Sequence, residues 1–344
     1  MILTITPNAA LDLTWWVDHI EPGETHRVPS GIARAGGKGL NVARVAHSQG
    51  HAVLAIATAG GASGAELGAE LAASGLDHQL IAVGASTRRS IALYDAAHDE
   101  TSIFNEFGEN HSDAEWQSVL EAVDSALGSA SCLVGSGSLP PQPGEHGAFN
   151  ASDFYPSLVR RAVAHGIPSI IDTSGPALLA AADAGATVLK PNREELMAAT
   201  NSADPILAAR SLIARGTSLV LLSLGSAGMV AVSAGQPGGY LSARLPEALV
   251  GNPTGAGDAA VAAVASYFNE TAGHNTANRE LGDVEAILRR ATAWSAAAVL
   301  MPLAGEISPV HAQLAEQLIV EWHESAPASP DFIEHTPRPT ESER

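Results

Sequence analysis

The chain has 344 residues, 46% of them hydrophobic and only 16% charged, which suits one large α/β domain or two modest ones with an ample core. Its 18 basic residues are outnumbered by 37 acidic ones, for a formal charge of −19, and this argues against a nucleic-acid surface. A single cysteine excludes an internal disulfide and a multi-cysteine metal site, and no apolar run nears the roughly 20 residues of a membrane span.

The opening MILTITPN reads as a strand over residues 2–6 and lacks a basic leader region, so a cytoplasmic protein is expected. Residues 12–34 carry strand-like residues and turns but no good helix; Trp15 and Trp16 would point to opposite faces of a strand. A helix follows over 40–48, then a strand over 53–57 and a helix over 64–74. A second non-helical stretch, 88–107, precedes a helix over 113–128. The strand at 131–135 holds Cys132 in an apolar run, where a buried thiol is expected. Helices at 153–165, 193–199 and 206–215 alternate with strands at 169–172, 187–189, 219–223 and 229–232. Helices at 256–267, 284–299 and 309–322 complete the ordered part, and the Pro- and Ser-rich residues 325–344 read as a loosely held tail. This alternation predicts a mostly parallel sheet with helices on both faces. The stretches 12–34 and 88–107 would form a small sheet projecting from it, such as a lid.

No P-loop and no opening G-x-G-x-x-G is present, and the histidines show no metal-ligand spacing. In NPTGAGDAAV, Gly255, Ala256 and Gly257 bring bare backbone to a helix N-terminus, where free N–H groups attract anions. Asp258 at such a place suits a base that takes a proton from an attacking hydroxyl, or merely complements the helix dipole. The chain has only two lysines, Lys38 and Lys190. In AGGKGLNVAR, glycines 36, 37 and 39 flank Lys38, and Asn41 could serve sugar hydroxyls. In LKPNREEL, Lys190 ends a strand, while Asn192 and Glu195 suit either Mg²⁺ ligation, directly or through water, or helix capping. Gly225 and Gly228 in LLSLGSAGMV fit a nucleotide border or a plain hairpin. Arg88 and Arg89 in STRRSI fit phosphate recognition or a surface pair. Asp12 could hold two sugar hydroxyls, and SGSLPP after the Cys132 strand lies where open α/β sheets bind ligands.

Taken in order, TPNAALD, GGKGLNVARV, TRRS, SGSLPP, DTSG, KPNREEL, SLGSAG and PTGAGDA resemble the phosphofructokinase B family of sugar kinases, over roughly residues 1–322. The opening and SGSLPP are most similar to its 1-phosphofructokinase and tagatose-6-phosphate kinase branch. The resemblance implies a ribokinase-like three-layer α/β/α sandwich with a small β lid, spanning residues 1–324. It implies ATP-dependent phosphorylation of a ketohexose phosphate, with Asp258 as base and Gly255, Ala256 and Gly257 as the anion hole. Asp12, Gly37 and Asn41 would hold sugar hydroxyls. Arg88 would bind the existing phosphate, helped by Lys38 and Arg27, with Ser138 of SGSLPP at the substrate. Asn192 and Glu195 would organise Mg²⁺, and Lys190, Asn192, Ser223, Gly225 and Gly228 would border ATP. Many family members pair their lids in a homodimer. Arg89–Ser90 departs from the branch pattern of an aliphatic residue and asparagine, and Ala9–Ala10 stands for its usual Pro–Ala. A kinase for an unphosphorylated sugar or nucleoside, and a non-catalytic sensor on the same fold, are the competing readings.

Overall fold

A computed structural model describes residues 1–98, 100–141, 153–272 and 282–324. The expected tail lies outside these residues, as does most of the segment after SGSLPP.

The first strand, β1 (Ile2–Thr6), is the third from one edge of a ten-stranded sheet. On one side it pairs in parallel with β4 (Val53–Ala59), which pairs with β5 (His78–Ala82). On the other, parallel pairing runs through β8 (Cys132–Ser136), β9 (Ser169–Asp172), β10 (Val188–Leu189) and β11 (Leu219–Ser223). Beyond β11 the sheet turns antiparallel, through β12 (Met229–Ser233), β13 (Gly239–Arg244) and β14 (Ile319–Glu324).

The parallel strands are apolar on both faces, as a sheet buried on both sides must be. Leu219 and Leu221 of β11 enter one core and Val220 and Leu222 the other, because side chains alternate along a strand. One layer contains α1 (Lys38–Ser48), α2 (Gly61–Ser74), α8 (Ala256–Thr271), α9 (Val284–Val299) and α10 (His311–Gln317). The opposite layer contains α3 (Asp113–Leu127), α4 (Phe154–Ala164), α5 (Gly175–Asp183), α6 (Arg193–Thr200) and α7 (Pro205–Arg215). This is the expected ribokinase-like sandwich. Among the described residues no helix is long and apolar enough to cross a membrane.

A separate four-stranded sheet, in the order β3-β2-β6-β7, is built from β2 (Ala10–Val17), β3 (Ile32–Gly36), β6 (Arg88–Asp95) and β7 (Glu100–Asn105). Both non-helical stretches therefore meet in one small sheet. Its β2 and β6 are parallel, with Ala10 opposite Arg88 and Val17 opposite Asp95.

Several elements differ from expectation. The helix expected over 309–322 stops at Gln317, where Leu318 turns extended, and Ile319–Glu324 adds β14 to the open edge of β13. The run IVEWHE carries β-branched and aromatic residues, and a free sheet edge rewards them. Helix α5 and strands β5 and β13 were not expected; α5 is alanine-rich, and HQLIA and GYLSAR mix polar and small residues that blur a strand pattern.

Candidate active site

Both of the chain's lysines converge on one buried aspartate. Lys38 Nζ lies 3.4 Å and Lys190 Nζ 3.8 Å from Oδ1 of Asp172, which ends β9 and is buried. Ser136 Oγ at the end of β8 donates to Oδ2 at 3.2 Å. Burial pushes the Asp172 carboxyl upward, but the two ammonium groups outweigh it, and the group is held below the usual carboxylate range. In return, Asp172 first, against the cost of burial, raises the Lys38 ammonium above its ordinary value. The Lys38 side chain stays 40% exposed, so its charge faces the open side of the site.

Helix α8 starts beside this cluster. Gly255, its N-cap, has φ 85, a left-handed conformation that glycine adopts without strain, and a Cβ there would crowd Ala304 at 2.8 Å. The Ala256 N–H is bonded to Pro253 O at 3.1 Å, so Gly257 and Asp258 carry the first-turn amides that lack an intrahelical acceptor. A Cβ on Gly257 would stand 3.1 Å from Lys190 Nζ, which places that ammonium against the helix start. Asp258 is only 6% exposed and accepts a 2.8 Å hydrogen bond from Asn41 Nδ2 of α1. Burial pushes its carboxyl up to about 7; Lys38, the Asn41 bond and Lys190 pull it down, and Asp172 pushes it further up. The group therefore changes charge near neutral pH.

Gly37 is the N-cap of α1 at φ 104, packed over Thr6, and this turn brings Lys38 and Asn41 to the site. Asp12 of β2 lies over Gly36, where a Cβ would overlap its carboxylate. Burial raises the Asp12 carboxyl to about 6, against the pull of Arg88, Arg34 and Arg44. Arg88 begins β6 and donates from Nε to Asn8 O at 3.2 Å, while Asn8 Nδ2 reaches Ser138 Oγ at 3.1 Å. Ser138 and Arg88 are thus joined through Asn8. Arg27 lies on the exposed connection between β2 and β3 and lines neither of the two main cavities.

Those cavities meet at the segment leading into α8. One, about 550 Å³, is lined by Asn192, Ser223, Gly225, Gly228, Ala256 and Gly257, with apolar walls from Leu249 and Val299. The glycines belong to the turn of a β11–β12 hairpin, and Gly228 has φ 89 with no room for a Cβ beside the Ala243 carbonyl. The other, about 680 Å³, lies under the small sheet and includes Asp12, Arg34 and Ser90. Gly251, Pro253 and Val299 line both.

Asn192 and Glu195 form a reciprocal cap on α6: Asn192 Oδ1 accepts from Glu195 N at 2.8 Å, and Glu195 Oε2 from Asn192 N at 2.9 Å. The capping reading is therefore realised. It leaves Glu195 Oε1 turned toward Lys38 Nζ at 3.8 Å.

Residue patterns gave no role to Asp172, Asn8 or Arg34. Asp172 had a signal, since DTSG follows a strand end, but its two lysine partners are distant in sequence. Asn8 stands within TPNAALD, but nothing local ties it to Ser138 or Arg88, and Arg34 had no signal. Cys132 is buried as expected, its thiol pushed up to about 12 by burial.

A family model described as pfkB family carbohydrate kinase matches residues 8–310. A 1-phosphofructokinase of Xanthomonas campestris pv. campestris is 34% identical over 302 residues, covering 85% of this chain and 89% of that protein. The ATP-dependent 6-phosphofructokinase isozyme 2 of Mycobacterium tuberculosis is 34% identical over 269 residues, 76% of each chain. Phosphofructokinase-2 from Escherichia coli, solved in complex with potassium, superposes with a TM-score of 0.79 at 28% identity, covering 92% of this chain and 98% of that one. The match takes in both lysines, the small sheet and the start of α8, and the chain belongs to the PfkB family of carbohydrate kinases.

Proposed function

We propose that the protein transfers the γ-phosphoryl group of ATP to a free hydroxyl of a fructose monophosphate, giving a fructose bisphosphate and ADP. The observation that carries this reading is the placement of Asp258. It is a buried carboxylate poised near neutrality, at a helix N-terminus between two cavities. ATP occupies the cavity bordered by Asn192, Ser223, Gly225 and Gly228, with Lys190 against its phosphates. The sugar lies on the Asn41 side, its hydroxyls held by Asp12 and Asn41 at the Gly37 turn.

Asp258 accepts the proton of the attacking hydroxyl as the oxygen attacks phosphorus in line. In a loose transition state the proton leaves late, so a carboxylate is a strong enough base. The amides of Gly257 and Asp258, the α8 dipole and the ammonium groups of Lys38 and Lys190 stabilise the charge on the migrating group. Arg88, near Ser138, holds the phosphate already on the sugar, and Arg27, on the exposed connection between β2 and β3, can add to this only through its charge.

Mg²⁺ fits the donors present. The cap occupies Asn192 Oδ1 and Glu195 Oε2, leaving one carboxylate oxygen, Oε1, facing the site. One such oxygen suits an ion that keeps most of its water and rides on nucleotide phosphates. When bound, Mg²⁺ neutralises charge on the β- and γ-phosphates.

The small sheet acts as a lid over the sugar. Trp16 and Phe104, 40% and 59% exposed, support pairing of two copies through it, which light scattering would register as a doubled mass. The chemistry fits a cytoplasmic enzyme. The deciding test is ADP release with fructose 1-phosphate, fructose 6-phosphate and tagatose 6-phosphate, with fructose and ribose as neutral controls. Turnover of one fructose monophosphate at least about a hundredfold above fructose is expected, the scale a few charge-assisted bonds provide. Activity on the neutral sugars alone would overturn the substrate assignment.

A further inference from the structure

At the far end of the small sheet, away from Asp12 and Arg88, two histidines and a carboxylate converge. His19 follows β2, Asp95 ends β6, and His98 lies in the turn between β6 and β7. The Asp95 carboxylate is fixed by backbone: Ala97 N–H donates to Oδ1 at 3.0 Å and Ile20 N–H to Oδ2 at 3.1 Å. His98 Nδ1 lies 2.9 Å and His19 Nδ1 3.7 Å from the same Oδ2. One ligand atom from each of the three residues lies within 4.8 Å of the others. Among the described residues this is the sole grouping of three such side chains with that convergence.

The orientation of His19 gives the cluster its meaning. Its Nε2 faces Glu21 Oε2 at 3.2 Å, and because a carboxylate only accepts, this contact uses an Nε2–H donor. With Nε2 as donor, the neutral ring turns its Nδ1 lone pair toward the Asp95 carboxylate, and a cation between the two would satisfy both. A carboxylate holding the outer nitrogen of an imidazole, with the inner nitrogen free, is how metal-binding histidines are oriented. The side chain of Asp95 is 11% exposed, whereas those of His19 and His98 are 48% and 57% exposed, so an ion can reach the imidazoles from solvent.

We propose that His19, Asp95 and His98 bind a borderline transition dication of the zinc class, with Glu21 orienting His19. At zinc–nitrogen and zinc–oxygen distances of about 2.0–2.2 Å, tetrahedral ligand atoms stand roughly 3.3 Å apart. Rotation of two half-exposed imidazoles on connecting segments covers the difference. The His98 proton shifts from Nδ1 to Nε2 as Nδ1 takes the ion, and water fills the remaining position. Two imidazoles select against Mg²⁺, which prefers oxygen, so this site is chemically separate from the phosphoryl-transfer site. Because Val17 pairs with Asp95, the ion ties the far end of β2 to the β6–β7 turn.

The test uses the full-length protein without an affinity tag, stripped by chelator. It is titrated with Zn²⁺ against a chromophoric competitor in millimolar Mg²⁺. One Zn²⁺ per chain with a micromolar or tighter Kd is expected. His19→Gln and His98→Gln should each weaken it at least about tenfold, and Glu21→Gln by about tenfold. Zn²⁺ should raise the Tm of the parent chain and leave that of the double histidine variant unmoved. The single and double variants should all keep the parent's Mg²⁺-dependent turnover and metal-free Tm, which shows that they fold. Equal Zn²⁺ binding by the double variant, or no stoichiometric binding by the parent chain, would overturn the proposal.

Discussion

At Asp258 two demands oppose each other. Burial favours the neutral acid, whereas the proposed role of proton acceptor requires the carboxylate. With its carboxyl pushed up to about 7, kcat/KM should fall about tenfold per pH unit below that value. Asn41 donates to the charged form, so Asn41→Ala should move this acid limb to higher pH; a profile that does not move would remove Asn41 from control of the base. Asp258→Asn should lower kcat by about 10²–10⁴. The same substitution should raise stability. A carboxyl whose folded pKa lies above its unfolded value of 3.8 contributes stability below about pH 4 that is lost as pH rises through about 7. Removing the charge at neutral pH should therefore gain on the order of 1–3 kcal/mol, read as a higher Tm. A lower Tm would show that the buried charge is well compensated.

Helix termini carry the next level of organisation. The start of α8 owes its open amides to the left-handed Gly255 and to Gly257, whose missing side chain admits Lys190. The start of α6 combines a cap with a carboxylate oxygen that faces the site. These two roles of Glu195 can be separated. Glu195→Gln keeps a side chain able to complete the cap, so Tm should hold while the Mg²⁺ concentration for half-maximal rate rises about tenfold. Glu195→Ala should add a stability loss of about 0.5–2 kcal/mol. An unchanged Mg²⁺ requirement in both variants would confine Glu195 to capping. The element-level pattern was legible where periodicity was long, as in α9 and α3. It was not at residues 309–322, where a helical pattern gave way to a strand because the edge of β13 was open.

At the scale of the molecule, a chain with a net charge of −19 must still bind two anions. It does so by collecting its few cations: both lysines at Asp172, and Arg88, Arg34 and Arg44 around Asp12. The small sheet is tied to the main body by Arg34 of β3, whose Nη1 lies 2.9 Å from Glu306 Oε1. The pair is partly exposed, so its loss should cost under about 1 kcal/mol in stability. Its larger effect should be on the sheet's position over the sugar. Glu306→Ala should raise the KM for the sugar phosphate about three- to tenfold with Tm nearly unchanged; an unchanged KM would show that the sheet holds its place without this bridge.

The residue order alone determined the alternating layers, the small sheet, the helix start at Asp258 and the kinase family, because these rest on local periodicity and short motifs. Tertiary structure decided the rest. It alone brought Lys38 and Lys190, 152 positions apart, to Asp172, which DTSG marked only as a strand end. It made Asn192 and Glu195 a reciprocal cap, and it left Arg27 outside both cavities. It also assembled His19, Asp95 and His98, whose spacing along the chain matches no metal motif. The physical reason is common to all four: charge and ligand geometry act over a few ångströms of space, and only the folded sheets set which distant residues come that close.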